Sequence, residues 1–193
     1  MRVSKTRKQV VVGVLSSIAY LLMMLEIPYP GPLLLKIDFS DIPAIIAAIV
    51  FGPVAGIVVE GIKNLLHYMI QGSGTGVPVG ECANFISGLL FILPVSWIYK
   101  KTTSTKGVAS GLVIGTLCMT VLMGILNYFV FIPAYTLFFH APATTSQQMI
   151  QTIVAFILPF NMVKGVLITT VFLLLYAKLK TWLSRQTEVR NAA

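Results

Sequence analysis

Lys164 sits in an apolar stretch with Asn161 three positions before it, so the two share one face of a helix. Glu81 and Asn84 repeat that spacing in an earlier stretch, Asn127 interrupts a third, and Asp38 lies in a polar segment between two others. An ammonium, two carboxylates and three amides supply donors and acceptors together, which suits a small polar ligand. Charges inside apolar runs are costly and default to a functional reading. The alternative, that the amides only glue helices together at roughly 0.6–2 kcal/mol each, is about even for any one Asn and weaker for Lys164, Glu81 and Asp38. Glu60, Lys63, Asn64 and His67 fall at i, i+3, i+4 and i+7 of another run. There the favoured reading is an internally paired polar seam, with Glu60 and Lys63 neutralising each other. A proton relay through His67 is the lesser alternative.

The elements that carry these residues follow from composition. Of 193 residues, 56% are hydrophobic and only 10% are charged, against roughly 25% charged in soluble domains. This excludes a soluble globular protein, a disordered chain and a disulfide scaffold. Cys82 and Cys118 lie in apolar runs and read as small buried hydrophobes, with no metal-ligand spacing. The expected helices are about 9–27, 42–51, 53–71, 80–99, 107–135 and 149–182, in one integral membrane domain over 1–193. The first is read as an uncleaved span, being too long for a signal-peptide core. No internal repeat supports an inverted-repeat transporter.

Charge placement sets the number of crossings. The net charge of +8 raises nucleic acid as a partner, but the basic residues cluster at run ends: Arg2, Lys5, Arg7 and Lys8; Lys100, Lys101 and Lys106; Lys178, Lys180, Arg185 and Arg190. These mark cytoplasmic ends and exclude a nucleic-acid role. Returning the chain to the same side by Lys100 needs an even number of spans, which splitting the second run at Gly52-Pro53 provides. The expectation is an all-α polytopic protein with six transmembrane helices and both termini cytoplasmic. At 1.5 Å per residue, Glu81 lies about 28 Å above Lys100, Asn127 about 30 Å above Lys106 and Lys164 about 21 Å above Lys178. Polar groups thus gather in the outer half of the membrane and describe a cup closed below.

No Gly-x-Ser-x-Gly and no His-Glu-x-x-His motif is present. An intramembrane enzyme is therefore a poor second to a binder of a small, polar-edged ligand. Tyr128, Phe129 and Phe131 near Asn127, with Tyr29 in the outer loop, suit a flat conjugated ligand. Gly72-Ser73-Gly74-Thr75-Gly76 reads as a flexible outer loop rather than a phosphate loop, since no Gly-Lys-Ser/Thr follows it. Gly13 and Ser17, with Ser16 nearby, form a small-residue face for a helix of this chain or of a separate subunit. Pro94, Pro133 and Pro159 are expected to kink their helices.

Several segments together resemble a known family. Lys36-Ile37-Asp38-Phe39-Ser40-Asp41-Ile42-Pro43-Ala44, the Phe51-Gly52-Pro53 turn, Gly76-Val77-Pro78-Val79-Gly80-Glu81-x-Ala83-Asn84-Phe85, Asn127-Tyr128-Phe129 and Pro159-Phe160-Asn161-x-x-Lys164-Gly165 are similar to the riboflavin-specific S components, or substrate-binding subunits, of energy-coupling factor (ECF) transporters. The resemblance covers about residues 8–180. It implies a six-helix fold in the cell membrane, with riboflavin as cargo rather than cofactor. It places the ribityl hydroxyls at Asp38, Glu81, Asn127 and Lys164, and the ring edge at Asn161 and backbone near Gly80. It implies a transmembrane coupling subunit (EcfT) and two ECF ATPase subunits as partners, and uptake by rotation of the loaded subunit in the bilayer. The family's docking face is often Ala-x-x-x-Ala; here Gly13-x-x-x-Ser17 stands there, beside Ser16. An S component for another vitamin is the nearest alternative.

Overall fold

A computed structural model describes residues 5–31, 35–73, 76–102, 104–139 and 144–191, with side chains as far as 179. Arg2, Gly74, Thr75 and His140 fall outside these residues, as do the side chains of Lys180, Arg185 and Arg190. α1 (Lys5–Met24) leads through an antiparallel hairpin, β1 (Ile27–Pro28) against β2 (Lys36–Ile37), into α2 (Asp41–Phe51) and α3 (Pro53–Gln71). α4 (Val79–Thr102), α5 (Thr105–Leu126) and α6 (Ile132–Phe138) follow, then α7 (Ser146–Thr152) and α8 (Leu158–Asn191). The fold is helical, as the composition implies. The hairpin is an addition to the all-α expectation, two residues per strand, tightened by Tyr29 N–H donating to the Leu35 carbonyl at 2.8 Å.

Gly52 separates α2 from α3. Its φ of +96° is open to glycine and strained for other residues, and Pro53 then starts α3 where its missing N–H costs nothing. α2 is apolar but has 11 residues, about half of what a bilayer requires. Among the described residues, four helical stretches are long and apolar enough to cross a membrane: Lys5–Met24, Val79–Thr102, Thr105–Phe138 and Ser146–Leu179.

Two of these stretches are continuous only because each contains a π-helical turn. Asn127–Phe131 joins α5 to α6, and Ile153–Ile157 joins α7 to α8. Pro133 and Pro159 each stand two residues past the end of such a turn. A proline offers no N–H and crowds the carbonyl four residues back, so widening the preceding turn lets the helix run on.

The core lies between α4, α5 and α8, where Phe91, Ile92, Leu112, Met119, Ile168 and Phe172 are fully buried. Gly115 lets α5 approach α4 closely, since a Cβ there would lie 2.5 Å from the Phe91 carbonyl oxygen. The exterior is apolar instead of charged: Val121 is 56% exposed and Leu174 67%, while Lys63, Asp41 and Glu60 are at 0%. Apolar groups outside and ion pairs inside is the arrangement that a lipid solvent selects. Cys82 departs from the sequence expectation: it is exposed at the start of α4, and Cys118 is half-buried. An apolar surrounding sequence marks a lipid-facing position as readily as a core position.

Candidate functional site

A cavity of about 440 Å³ opens at the end of the bundle where α1 and α3 finish and α4 begins. Its size falls within the range for small-molecule sites. Asp38, Gly80, Glu81, Asn127, Asn161 and Lys164 all line it, together with Asn84, Ser87 and His67. Asp38 comes from the segment after β2, Gly80 and Glu81 from the first turn of α4, Asn127 from the π turn, and Asn161 and Lys164 from α8.

Asp38 is 2% exposed and shapes the entry to α2. Its Oδ1 accepts from the Ser40 backbone N–H at 2.8 Å and from the Ser40 hydroxyl, a local turn that short acidic side chains favour. Its Oδ2 faces the cavity, accepting from Asn84 Nδ2 at 3.4 Å and lying 3.8 Å from Lys164 Nζ. Lys164 also reaches Asp41 Oδ2 at 3.3 Å. Asp41 pairs in turn with Lys63, whose ammonium donates to Ser40 Oγ at 2.6 Å and lies 2.9 Å from Glu60 Oε2. The Glu60–Lys63 pairing is therefore part of a larger ion cluster, with Asp41 at its centre. Glu60 is accommodated because Gly88 faces it; a Cβ there would lie 2.3 Å from Glu60 Oε2. His67 meets an acid as well, with Nδ1 3.2 Å from Glu81 Oε1.

The amides are oriented by their own helices. Asn127 Nδ2 donates to the Met123 carbonyl at 2.7 Å, and Asn161 Nδ2 to the Ile157 carbonyl at 2.8 Å. Those bonds fix which end of the Asn161 amide remains, leaving its Oδ1 buried with no hydrogen-bond partner among the described residues. Glu81 Oε2, Asn84 Oδ1 and Ser87 Oγ are in the same condition. Buried polar atoms are usually satisfied, so several unpaired acceptors in one cavity call for a ligand that brings donors.

The aromatic lining differs from the sequence expectation. Tyr128, Phe129 and Phe131 do not line the cavity; Phe129 is 70% exposed and Phe131 is buried in the core. Tyr135, Phe139 and Phe160 line it instead, and Tyr29 packs edge-on against Phe160 with ring centroids 5.4 Å apart. The π turn is the reason. Eight residues advance a regular helix about 80° past a full number of turns, and the extra residue of the wide turn brings Tyr135 back onto the face of Asn127. That signal was available in Pro133 six residues after Asn127. A second cluster lies hidden behind the site, in Ser40, Asp41 and Lys63, which no spacing rule connects to Lys164.

The proposed docking residues divide. Gly13 and Ser17 are exposed on α1, and a Cβ at Gly13 would meet nothing within 4 Å among the described residues. Ser16 is buried at 1% and donates to the Val12 carbonyl at 2.8 Å, so it faces the bundle and not the surface of Gly13 and Ser17.

Four apolar helical stretches of membrane-spanning length and an acceptor-rich polar cavity at one end describe a membrane protein with a binding site for a small polar solute. The chain belongs to the family described as ECF transporter, substrate-specific component, which it matches over residues 7–176. It is 57% identical over 183 residues to the riboflavin transporter FmnP of Bacillus subtilis (strain 168), covering 94% of this chain and 96% of that protein. It is 41% identical over 186 residues to the riboflavin transporter RibU of Staphylococcus aureus (strain TCH60), covering 96% of each. A solved structure, the S component of a bacterial ECF transporter, superposes with a TM-score of 0.79 at 40% identity, covering 93% of this chain and 99% of that one. The chain is thus a transporter subunit and not an enzyme.

Proposed function

We propose that this chain is the high-affinity riboflavin-binding S component through which an ECF transporter takes up riboflavin. The observation that carries the reading is the set of unpaired acceptors in the cavity, at Glu81, Asn84, Ser87 and Asn161. Riboflavin brings four ribityl hydroxyls and a ring N–H, and the hydroxyls can also accept from Lys164. The kinship to proteins named riboflavin transporters supports the same ligand. The ribityl chain is assigned to Asp38, Glu81, Asn127 and Lys164, and the ring edge to Asn161 and the Gly80 backbone, with Tyr135, Phe139 and Phe160 bordering the ring. The described residues of the cavity lining include no Arg, which disfavours a phosphorylated flavin.

The rest of the assignment concerns topology and partners. Six crossings place both termini in the cytoplasm of a multi-pass cell-membrane protein, with α2 and its flanking segments forming one short crossing. Lys5, Arg7, Lys8, Lys100, Lys101 and Lys106 all lie at helix ends away from the cavity, consistent with a cytoplasmic position. The coupling subunit EcfT docks on α1 at Gly13 and Ser17, and two ECF ATPases supply the energy. Titration of purified protein against riboflavin and thiamine, followed by flavin and protein fluorescence, tests the ligand. Saturable quenching by riboflavin alone is expected, and preference for thiamine would redirect the assignment to another vitamin.

A further inference from the structure

The cavity residues Asp38 and Lys164 are held by a layer that does not itself line the cavity: Ser40, Asp41 and Lys63. We propose that Asp41 and Lys63 are positioning residues for ligand binding, acting through Lys164. The inference rests on the riboflavin reading above.

Asp41 divides its two oxygens. Oδ1 pairs with Lys63 on α3, and Oδ2 lies 3.3 Å from Lys164 on α8. Charge-assisted bonds of full strength are shorter, about 2.7–2.9 Å. The Lys164 ammonium is therefore restrained by Asp41 at 3.3 Å and Asp38 at 3.8 Å without being saturated by either. An ammonium has three protons, so this leaves donor capacity for a ligand hydroxyl. Lys63 maintains that balance by holding the other oxygen of Asp41. It also donates to Ser40 Oγ, while the Ser40 hydroxyl donates to Asp38 Oδ1, so Asp38 presents Oδ2 to Lys164 and Asn84. Without Asp41, Lys164 turns to Asp38 alone. Without Lys63, the whole charge of Asp41 draws the ammonium away from the cavity. A packing role alone would not require ions here, because apolar residues of similar volume often stabilise a buried site as well or better.

The test is a double-mutant cycle on riboflavin Kd, measured by fluorescence quenching in detergent with wild type, Asp41→Asn, Lys164→Ala and the double variant. Asp41→Asn is expected to weaken binding by about tenfold in the wild-type background and by less than about twofold when Lys164 is already Ala. Lumiflavin, which has the ring without the ribityl chain, supplies a readout that general damage would also lower; its affinity is expected to stay within about twofold in Asp41→Asn. If Asp41→Asn is not recovered as monodisperse protein, Ser40→Ala carries the same cycle with an expected loss of about threefold. Additive losses, equal losses for both ligands, or an unchanged Kd in the variant measured overturn the positioning role. Wild type that does not bind riboflavin overturns the ligand assignment and this inference together, whereas wild type that binds with an additive cycle overturns this inference alone.

Discussion

His67 Nδ1 lies 3.2 Å from Glu81 Oε1, joining the C-terminal end of α3 to the first turn of α4 at the cavity wall. Both side chains are mostly buried, at 13% and 11% exposure. The contact holds one oxygen of Glu81 and leaves Oε2 unpaired among the described residues. On the present account His67 fixes the pose in which Glu81 accepts from ligand.

His67→Ala is therefore expected to weaken riboflavin binding by about 1 kcal/mol, the net worth of one such hydrogen bond. His67→Gln retains a donor and should lose less. Equal Kd values for wild type and His67→Ala in a quenching titration would show that Glu81 keeps its pose unaided.

Lys164→Ala removes the ammonium that the cavity offers to ligand hydroxyls. The expected loss is on the order of 1–3 kcal/mol in binding, with the helical circular dichroism unchanged. Full affinity in the variant would mean that Lys164 serves only the buried ion cluster.

The class of fold was legible in the sequence because lipid imposes a strong pattern: long apolar runs, basic ends and few interior charges. The family was legible separately, in the resemblance of the segments around Asp38, Glu81, Asn127 and Lys164. The break at Gly52-Pro53 was readable for a local reason, since that pair can end one helix and begin another. The six expected cavity residues come together in the structure because helical rise already put five of them at similar depth and the hairpin brings in Asp38. What spacing could not supply was any contact between elements. Asp41 lies three residues from Asp38, yet its partners Lys63 and Lys164 come from α3 and α8. The aromatic wall was misread because a π turn changes helical phase, and regular periodicity does not contain that turn. Ser16 was grouped with Gly13 and Ser17 by residue size, although it falls with Val12, Ala19 and Met23 on the buried stripe of α1.

Gly88→Ala tests the buried cluster from the other side. The added methyl group falls within 2.3 Å of Glu60 Oε2 on the present backbone. Overpacking of this kind costs about 1–3 kcal/mol, so the detergent-solubilised protein should unfold at lower temperature. The substitution should be better tolerated in a Glu60→Ala background. Equal destabilisation in both backgrounds would place the clash elsewhere.

Gly13→Arg addresses docking. Among the described residues nothing lies within 4 Å of a Cβ there, so the fold should accept the side chain while a closely packed partner helix cannot. Uptake into cells is expected to be lost with binding in detergent intact. Loss of both would indicate a folding defect, and unimpaired uptake would remove α1 as the docking face.

The central claim is that the acceptor-rich cavity holds riboflavin, and direct binding to the purified subunit tests it. Titrating riboflavin with the detergent-solubilised protein should quench flavin fluorescence saturably at one ligand per chain, and protein isolated from flavin-replete cells should be yellow. Colourless protein that leaves riboflavin fluorescence unquenched at micromolar concentration would contradict the account.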